Sequence, residues 1–290
     1  AQSSYNKLDS IDYLYSGGNG MSNGITGLSG TITEIHEAHL DLLNRFAGLD
    51  VATNPATNIV GWGNGSSDNL LDHSKDWKIR HWQLEPISLK QTLDKLQYEG
   101  GFIFKYKNGD PSIPQYIFIK DSYTSTDYTL SKSDISEIQI TVDSPDDLNT
   151  KYEIGYQKHP DVNTNAYVVN TLSSNLTSRN IHNISTAENI TKVNLDAYVS
   201  PEIPTSPSAN PNDDFYSYYN NINGSFKINI SGDIINPAFY NIDVGDTVLF
   251  SDMYPEKAFG VVFENAVFMI TSINRKPGKL TFKAREIGEL

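Results

Sequence analysis

The sequence predicts an α+β, mostly β fold: an antiparallel, tube-like β-barrel domain with a small preceding or inserted α/β domain. Three observations predict it. The 290 residues can bury one large or two ordinary cores, with 38% of them hydrophobic and 20% charged. Seventeen Tyr and twelve Phe favour strands, because flat rings pack well on a pleated surface. Short alternating apolar segments dominate the second half, whereas two amphipathic helices are recognisable in the first.

Composition divides the chain into three parts. Residues 1–30 are rich in Gly, Ser and Asn, which predicts a loop or an arm. Residues 31–125 predict an α/β domain with two helices and a hairpin. Residues 126–290 predict the barrel-like domain, with an exposed loop rich in Pro, Asn and Ser at 201–214.

The first predicted helix opens at Thr31. The segment Thr31-Ile32-Thr33-Glu34 fits a capping box, in which a threonine and a glutamate satisfy exposed backbone donors. Gly48 is the expected C-terminal cap. One face of this helix is apolar at five positions: Ile32, Ile35, Leu42, Leu43 and Phe46.

A short strand, a second helix and a hairpin follow. Trp77, Ile79 and Trp82 predict the strand. Ser88 and Gln91 form a second capping box, Leu89, Leu93 and Leu96 form an apolar stripe, and Gly100 or Gly101 ends the helix. Two aromatic-aliphatic runs, 102–106 and 116–119, flank the Asn108-Gly109 turn and predict the hairpin.

The remaining strands are predicted from alternation. The expected strands cover 135–142, 152–156 and 226–230, and a turn at Val244–Asp246 leads into a buried strand ending at Phe250. Residues 261–273 and 280–287 predict a closing hairpin. Residues 160–200 mix polar and β-branched runs and predict no definite element. An antiparallel barrel or sandwich is the simplest arrangement of these strands.

Charge and cysteine content exclude several classes of function. The formal net charge is −13, opposite in sign to that of a protein that binds DNA independently of its sequence, so specific nucleic-acid binding is not expected. An acidic wall would instead let DNA pass without adhering. Without cysteine there is no disulfide and no thiolate metal site. No apolar stretch approaches the roughly 20 residues of a membrane span.

Possible chemical motifs fail on spacing. His36 and His39 lie three residues apart instead of the four of a zinc-protease helix, and we interpret them as solvated. No strand and helix flank the glycines near the start in the way a phosphate-binding loop requires. Two acidic clusters fit turns better than calcium or acid–base sites. The early glycines are Gly17, Gly18, Gly20 and Gly24. The first acidic cluster is Asp143, Asp146 and Asp147, and the second is Asp213 and Asp214. We therefore predict no catalytic, cofactor-binding or metal-binding residue, and the sequence identifies no binding residue.

The order of these elements resembles phage tail-hub proteins, the baseplate-hub and tail-associated proteins that cap the tail tube. The resemblance covers about 31–156 and 226–290. It rests on the Trp-containing strand, the Ser-capped helix, the Gly-Gly and aromatic hairpin, and the segment from Ser133 into Asp147–Tyr156. The strand entry Tyr240–Val248 and the closing hairpin, with Phe268–Ile273 and Pro277–Leu280, are also similar.

This resemblance implies a structural virion protein, assembled in the host cytoplasm. It implies a homotrimer whose paired barrel domains adapt a sixfold tail tube to a threefold tip and form the conduit for DNA ejection. The implied partners are tail-tube and distal tail proteins, the tape-measure protein and tip or fibre proteins. Family members usually carry a complete barrel before the first helix. Either an upstream segment is missing from this chain, or the protein is a reduced or split hub.

Two other functions stay open. The first is a receptor- or carbohydrate-binding module of a phage tail, because Tyr, Asn and the three tryptophans Trp62, Trp77 and Trp82 suit sugar stacking, above all if Trp62 faces solvent. The second is a cell-wall glycan hydrolase with two carboxylates, although no acid with a raised pKa stands out in the sequence.

Overall fold

A computed structural model describes most of the chain. The described residues are 31–32, 34–49, 59–62, 77–81, 87–107, 113–122, 126–144, 148–158, 167–183, 190–199, 214–253, 255–259 and 261–289. The predicted arm 1–30, the Asn108-Gly109 turn, Trp82, Asp146, Asp147, Asp213 and residues 201–213 of the predicted loop lie outside them.

Four α-helices occur in the described residues: α1 (Ile35–Ala47), α2 (Leu89–Gly100), α3 (Leu176–Ile181) and α4 (Asp214–Asn223). Helix α1 begins at Ile35, so the predicted start at Thr31 is wrong. Glu34 has an extended backbone because it forms a β-bridge with Lys78. The helix can therefore begin only at the next residue, Ile35. The capping box is formed by Glu34 and Glu37, and Gly48 is the C-cap, as predicted, with a φ of 69°.

Helix α2 confirms its predicted boundaries. The Ser88 Oγ accepts a hydrogen bond from the Gln91 backbone N–H, and the Gln91 side chain bonds back to the Ser88 N–H. Gly101 ends the helix with a φ of 66°. A Cβ at this position would lie 2.9 Å from the Tyr218 ring and 3.1 Å from Trp77, so both the conformation and the packing require glycine.

The strands are numbered in chain order. The first nine are β1 (Lys78–Ile79), β2 (Phe102–Lys107), β3 (Ile113–Phe118), β4 (Tyr128–Ser131), β5 (Ile135–Val142), β6 (Lys151–Lys158), β7 (Tyr167–Ser174), β8 (Ile190–Asn194) and β9 (Tyr198–Val199). The others are β10 (Ile228–Ile234), β11 (Thr247–Ser251), β12 (Lys257–Ala258), β13 (Val261–Val262), β14 (Ala266–Lys276) and β15 (Lys279–Glu289). Residues 167–199, where the sequence predicted no definite element, thus contribute β7, α3, β8 and β9.

The first hydrophobic core joins helices to small sheets. Helices α1, α2 and α4 pack with the β2–β3 hairpin and the three-stranded sheet β7-β6-β8. Trp77 lies at its centre, edge-on to Tyr218 at 5.2 Å and to Tyr198 at 5.6 Å between ring centroids. This core combines side chains from before and after residue 126, where the sequence places the boundary between the two domains. That boundary stays a prediction.

The second hydrophobic core is covered by one six-stranded sheet, in the order β4-β11-β14-β15-β10-β5. The long β14–β15 hairpin forms its centre and confirms the predicted closing hairpin. Strand β14 begins later than the predicted 261, because Val261 and Val262 form a small separate hairpin with β12. Strand β11 follows Gly245, whose φ of 99° supplies the predicted turn.

The sheet is a curled half-barrel, and the predicted closed antiparallel barrel is not confirmed. Its two edge strands are consecutive in sequence: a 3-10 helix at Lys132–Asp134 joins β4 directly to β5. Strand β4 pairs in parallel with β11, and β5 pairs antiparallel with β10. No ladder joins β4 to β5 within the described chain, so the edges meet at one corner and stay open beyond it. The mostly β, α+β class is confirmed.

Candidate interaction surfaces

The corner between the two sheet edges is fixed by side-chain hydrogen bonds. The Asp134 carboxylate accepts from the Ser131 N–H at 2.8 Å, from the Ser131 hydroxyl at 2.6 Å and from the Asn236 amide at 2.6 Å. These bonds, the one from Asn236 above all, lower the pKa of Asp134. The direction in which β5 leaves β4 is therefore set by a carboxylate that stays ionised near neutral pH.

Strand β5 presents one edge and two different faces. Ile138 and Ile140 pack partly buried against the second core, while Gln139 and Thr141 are exposed on the other face. Glu137 has a φ of 54°, where the pairing with β10 shifts register. The bulge disrupts only the beginning of the strand. Residues 139–142 remain regular and can accept a further strand at their outer edge.

A polar seam lies between the two cores. The Asn221 amide donates to Asp121 at 3.1 Å, and Arg285 donates to Asp143 at 2.8 Å and to the Ile222 carbonyl at 3.2 Å. Beside it opens a cleft of about 430 Å³ between the end of α4 and the end of β15. The Arg285–Asp143 pair is half-buried, and charged groups at such a seam favour one relative placement of the parts they join, because another placement leaves them without partners.

A buried carboxylate secures β9 to α2. Glu99 is fully buried and accepts hydrogen bonds from the backbone N–H groups of Asp196, Ala197 and Tyr198, at 3.0, 2.8 and 2.8 Å. Burial raises its pKa, and the three donors oppose that rise. The sequence analysis missed this residue. The available signal was its spacing, since Glu99 lies three residues after Leu96 on the apolar stripe.

The two helix histidines are buried, so the prediction that they are solvated is wrong. His39 Nδ1 lies 2.7 Å from the Tyr116 hydroxyl, and the His36 ring packs edge-on to Trp62 at 4.9 Å. Burial lowers the pKa of each imidazole to about 3, which leaves both neutral near pH 7. The Glu34 carboxylate, 3.2 Å from His36 Nε2, favours the protonated ring and opposes this shift at His36. The helix face that carries them packs under the β2–β3 hairpin, an environment that helical spacing does not reveal.

Among the other residues singled out from the sequence, those that the structure describes do not assemble into a site. Trp62 and Trp77 are 1% and 2% exposed, so neither is a solvent-facing stacking platform. Asp143 pairs with Arg285, whereas Asp214 begins α4. The glycines predicted to form a loop before residue 30 lie outside the described residues.

Two further properties concern the described residues alone. Among them, no helix combines the length and apolarity needed to cross a bilayer. They also bring together no group of three His, Cys, Asp or Glu side chains that could hold a metal ion. The features with the geometry of a binding surface are therefore the open sheet edges, the seam and the long hairpin.

No protein-family model matches the sequence, and no curated protein matches it. Solved structures are similar in fold. One is from the virion of a native gene transfer agent particle, with a TM-score of 0.50 and 11% identity over 87% of this chain and 47% of that chain. The likeness shows a shared fold, and this chain spans less than half of that virion chain.

Two tail proteins are similar at lower scores. One is the tail protein from Neisseria meningitidis, with a TM-score of 0.47 and 13% identity over 90% of this chain and 68% of that chain. The other is the prophage tail protein gp18 from Listeria monocytogenes, with a TM-score of 0.46 and 12% identity over 91% of this chain and 68% of that chain.

Proposed function

We propose that this chain is a non-enzymatic structural protein of a phage-type tail, a hub or tip ring that closes the tail tube and forms the conduit for DNA ejection. The observation that carries the proposal is the curled half-barrel with two open edges. Open edges are an aggregation hazard in a lone chain but become joints when neighbouring chains pair across them. The fold shared with a virion chain supports this role.

In the proposed ring, the Asp134 corner and the polar seam each have a structural role. The Asp134 corner holds β4 and β5 at one angle, so that each copy offers its edges in the same geometry. The polar seam holds the α-helical part at a fixed position beside the sheet. The described residues form one half-barrel per chain, so a homotrimer matches a threefold tip directly, and its match to a sixfold tube requires a second barrel-like unit in each chain. In this proposal the tape-measure protein, the tube, and the distal and tip proteins are its neighbours.

The bore of the ring is proposed to be acidic, since the net charge is −13 and a negative wall repels phosphate. The β14–β15 hairpin is instead cationic, with Lys276, Lys279, Lys283 and Arg285. The proposal therefore requires this hairpin to face neighbouring chains and not the bore.

Electron microscopy of tails that contain the chain tests the proposal. We expect threefold copies at the tail end farthest from the capsid, and labelling by an antibody against this chain only there. The purified protein should also form a ring whose mass, by native mass spectrometry, is a multiple of three chains. A monomer at all concentrations, or labelling along the whole tail, would overturn the proposed role.

The structure gives little support to the alternative of a carbohydrate-binding module. Its main argument was tryptophan stacking, and Trp62 and Trp77 are buried in the first core. Trp82 lies outside the described residues. A glycan array that identified a bound sugar, with binding lost in a Trp82→Ala variant, would favour this alternative over the ring.

A further inference from the structure

The tip of the β14–β15 hairpin concentrates positive charge in an acidic protein. Between residues 271 and 285 there are five basic residues and no acidic one, while the whole chain carries −13. Lys276 and Lys283 are exposed and form no ion pair with the described residues. Most of the hairpin beyond Ile270 is exposed on β14, so the charge is available to a partner.

The arrangement of these charges is unfavourable for the isolated chain. Lys276 and Lys279 are direct cross-strand partners beside the Pro277-Gly278 turn. Like charges placed opposite each other on a hairpin are destabilising. Asp233 pairs with Lys279 and offsets part of this repulsion, but Lys276 has no such ion pair within the described part of the chain. Lys276 interacts through space with the same Asp233 carboxylate, so one carboxylate serves two lysines and the tip keeps a net positive charge that a partner can neutralise.

The opposite end of the same sheet has the complementary character. We define the acidic loop as the residues around β12 and β13 that carry exposed Asp252, Glu256 and Glu264. Within the described residues these three carboxylates form no ion pair. Lys257 is the one basic residue between Asp252 and Glu264, so the loop is negative overall.

The acidic loop is held in place and also presents apolar surface. Phe263 is fully buried and anchors it, with its N–H bonded to the Glu256 carbonyl at 3.1 Å. Phe259 is 63% exposed and has a φ of 50°, a conformation that is uncommon for a bulky residue. An exposed aromatic side chain on a strained backbone, among carboxylates, is typical of a contact surface and has no role in the core.

The two ends are separated along one strand. Strand β14 starts at Ala266, beside the acidic loop, and ends at Lys276, beside the hairpin tip. At about 3.3 Å per residue, this places the basic and acidic ends about 30 Å apart. Each copy therefore has a positive end and a negative end that cannot reach each other within the chain.

We infer that the hairpin tip of one copy docks on the acidic loop of a second copy, in a head-to-tail contact. The occupant is another copy because this chain itself supplies the complementary surface, with opposite charge and an exposed ring. A head-to-tail contact joins two different patches, and repeated copies close into a ring when the rotation allows it. This inference rests on the proposed ring function and names the surfaces that form one of its joints.

Charge reversal of each end and of both ends tests the contact. We expect Lys276→Glu with Lys283→Glu, and separately Glu256→Lys with Glu264→Lys, to weaken self-association at least tenfold in sedimentation velocity. A chain that carries all four changes regains complementary ends and should associate like the original. An equal mixture of the two double variants should form mixed pairs, because the tip of one variant then meets a loop of opposite charge on the other. A closed ring of three cannot alternate the two variants, so in the mixture recovery is expected for pairwise association and not for the threefold ring.

Controls separate the contact from folding and from net charge. Lys90 lies on α2 with its side chain 85% exposed, and Lys90→Glu should leave association unchanged. Tryptophan fluorescence and far-UV circular dichroism of each variant should match those of the original chain. Association of the original should weaken as salt rises from 50 to 500 mM, because exposed charge pairs are screened.

Three outcomes would overturn the inference. In the first, association survives reversal at either end. In the second, the fourfold variant fails to recover although it is folded. In the third, the hairpin variants associate normally but lose retention of a short DNA duplex, which would make the tip a phosphate contact. If the original chain never associates, the proposed ring function also fails, whereas an intact ring with insensitive ends would reject this contact alone.

Discussion

The first core contains buried histidines as well as a buried carboxylate. The second core is mainly aliphatic and phenylalanine side chains, and its sheet carries the buried carboxylates of Asp233 and Glu286. His36, His39 and Glu99 lie inside the first, each with specific polar or aromatic neighbours. The second packs the faces of long, regular strands around Phe250, Phe268 and Phe282. The first should therefore depend on pH and on individual hydrogen bonds. The second should depend on packing, which is the property a rigid ring wall needs.

Spectroscopy can follow the two cores separately. Trp62 and Trp77 belong to the first core, so their fluorescence reports this core. Far-UV circular dichroism reports the strands, and the longest strands of the described chain belong to the sheet of the second core. Each of the following predictions uses this difference.

The largest effect is expected from Phe268→Ala. Phe268 is fully buried and packs edge-on to Phe250 at 5.2 Å. Removing a buried phenylalanine ring costs about 3–5 kcal/mol of unfolding free energy. In urea, the strand signal should lose stability while the tryptophan transition keeps its midpoint. Phe46→Ala, at a phenylalanine that is 69% exposed on α1, is the matched control and should change stability little. Equal shifts of both signals would mean that the two cores unfold as one unit.

Removing the Glu99 carboxylate should destabilise the first core next most strongly. Glu99→Ala leaves three backbone N–H groups at 196–198 without their acceptor. A buried group that loses its partner costs about 1–3 kcal/mol. The tryptophan transition should shift more than the strand signal, and Glu99→Gln, which keeps one acceptor oxygen, should recover part of the loss. If Glu99→Gln were as damaging as Glu99→Ala, hydrogen bonding would not be the cause.

Acid should loosen the first core before the second. The folded-state pKa of His36, about 3, lies below its usual 6.5, so the neutral imidazole contributes stability that is fully present above pH 6.5. That stability is lost as the pH falls from 6.5 towards 3, by about 1 kcal/mol per pH unit. Tryptophan fluorescence should therefore change at a higher pH than the strand signal, since residues 183–290 contain no histidine.

A His36→Phe variant isolates this effect. It keeps a ring against Trp62 and removes the titrating group, so its stability should fall less steeply between pH 6.5 and 4. The contribution of His39 should remain. An unchanged slope in the variant would show that carboxylates, not this histidine, set the acid sensitivity.

The smallest effect is expected at the corner of the sheet. Asp134→Ala removes the acceptor used by Ser131 and Asn236, at a cost of about 1 kcal/mol, the usual range for a capping side chain. Urea unfolding of the strand signal measures this cost, and Gln139→Ala at an exposed position of β5 is the control. A loss above about 3 kcal/mol would mean that the corner supports the core and does more than orient an edge.

The sequence predicted the elements whose boundaries are set locally. Ser88 and Gly101 bound α2 because capping and a left-handed backbone depend on neighbouring residues. The β2–β3 and β14–β15 hairpins were likewise visible as paired aromatic and aliphatic runs. No residue of a candidate surface was predicted, because exposed edges and projecting charges depend on which strands become neighbours.

The failures have a tertiary cause. The start of α1 is displaced because Glu34 pairs with Lys78, which lies 44 residues away. His36 and His39 appeared solvated because polar residues on a helix usually face water. Tertiary contacts bury them: Trp62 packs against His36, and Tyr116 of the β2–β3 hairpin bonds His39. Closure of the sheet was overestimated because alternation predicts strands but does not determine whether the last strand meets the first.

The parallel pairing of β4 with β11 has a consequence for how the chain is made. The Asp127 carboxylate bonds the backbone of Thr247, 120 residues later, at the start of this ladder. A ribosome adds about 5–20 residues per second, so β4 leaves it roughly 6–24 s before its partner exists. During that interval β4 is unpaired chain. Strand β5 is also unpaired until β10 is made, because their paired residues lie 86 to 99 positions apart. The nascent polypeptide is therefore exposed to mispairing at the two strands that form the finished edges, and slower translation or the absence of a chaperone should lower its yield.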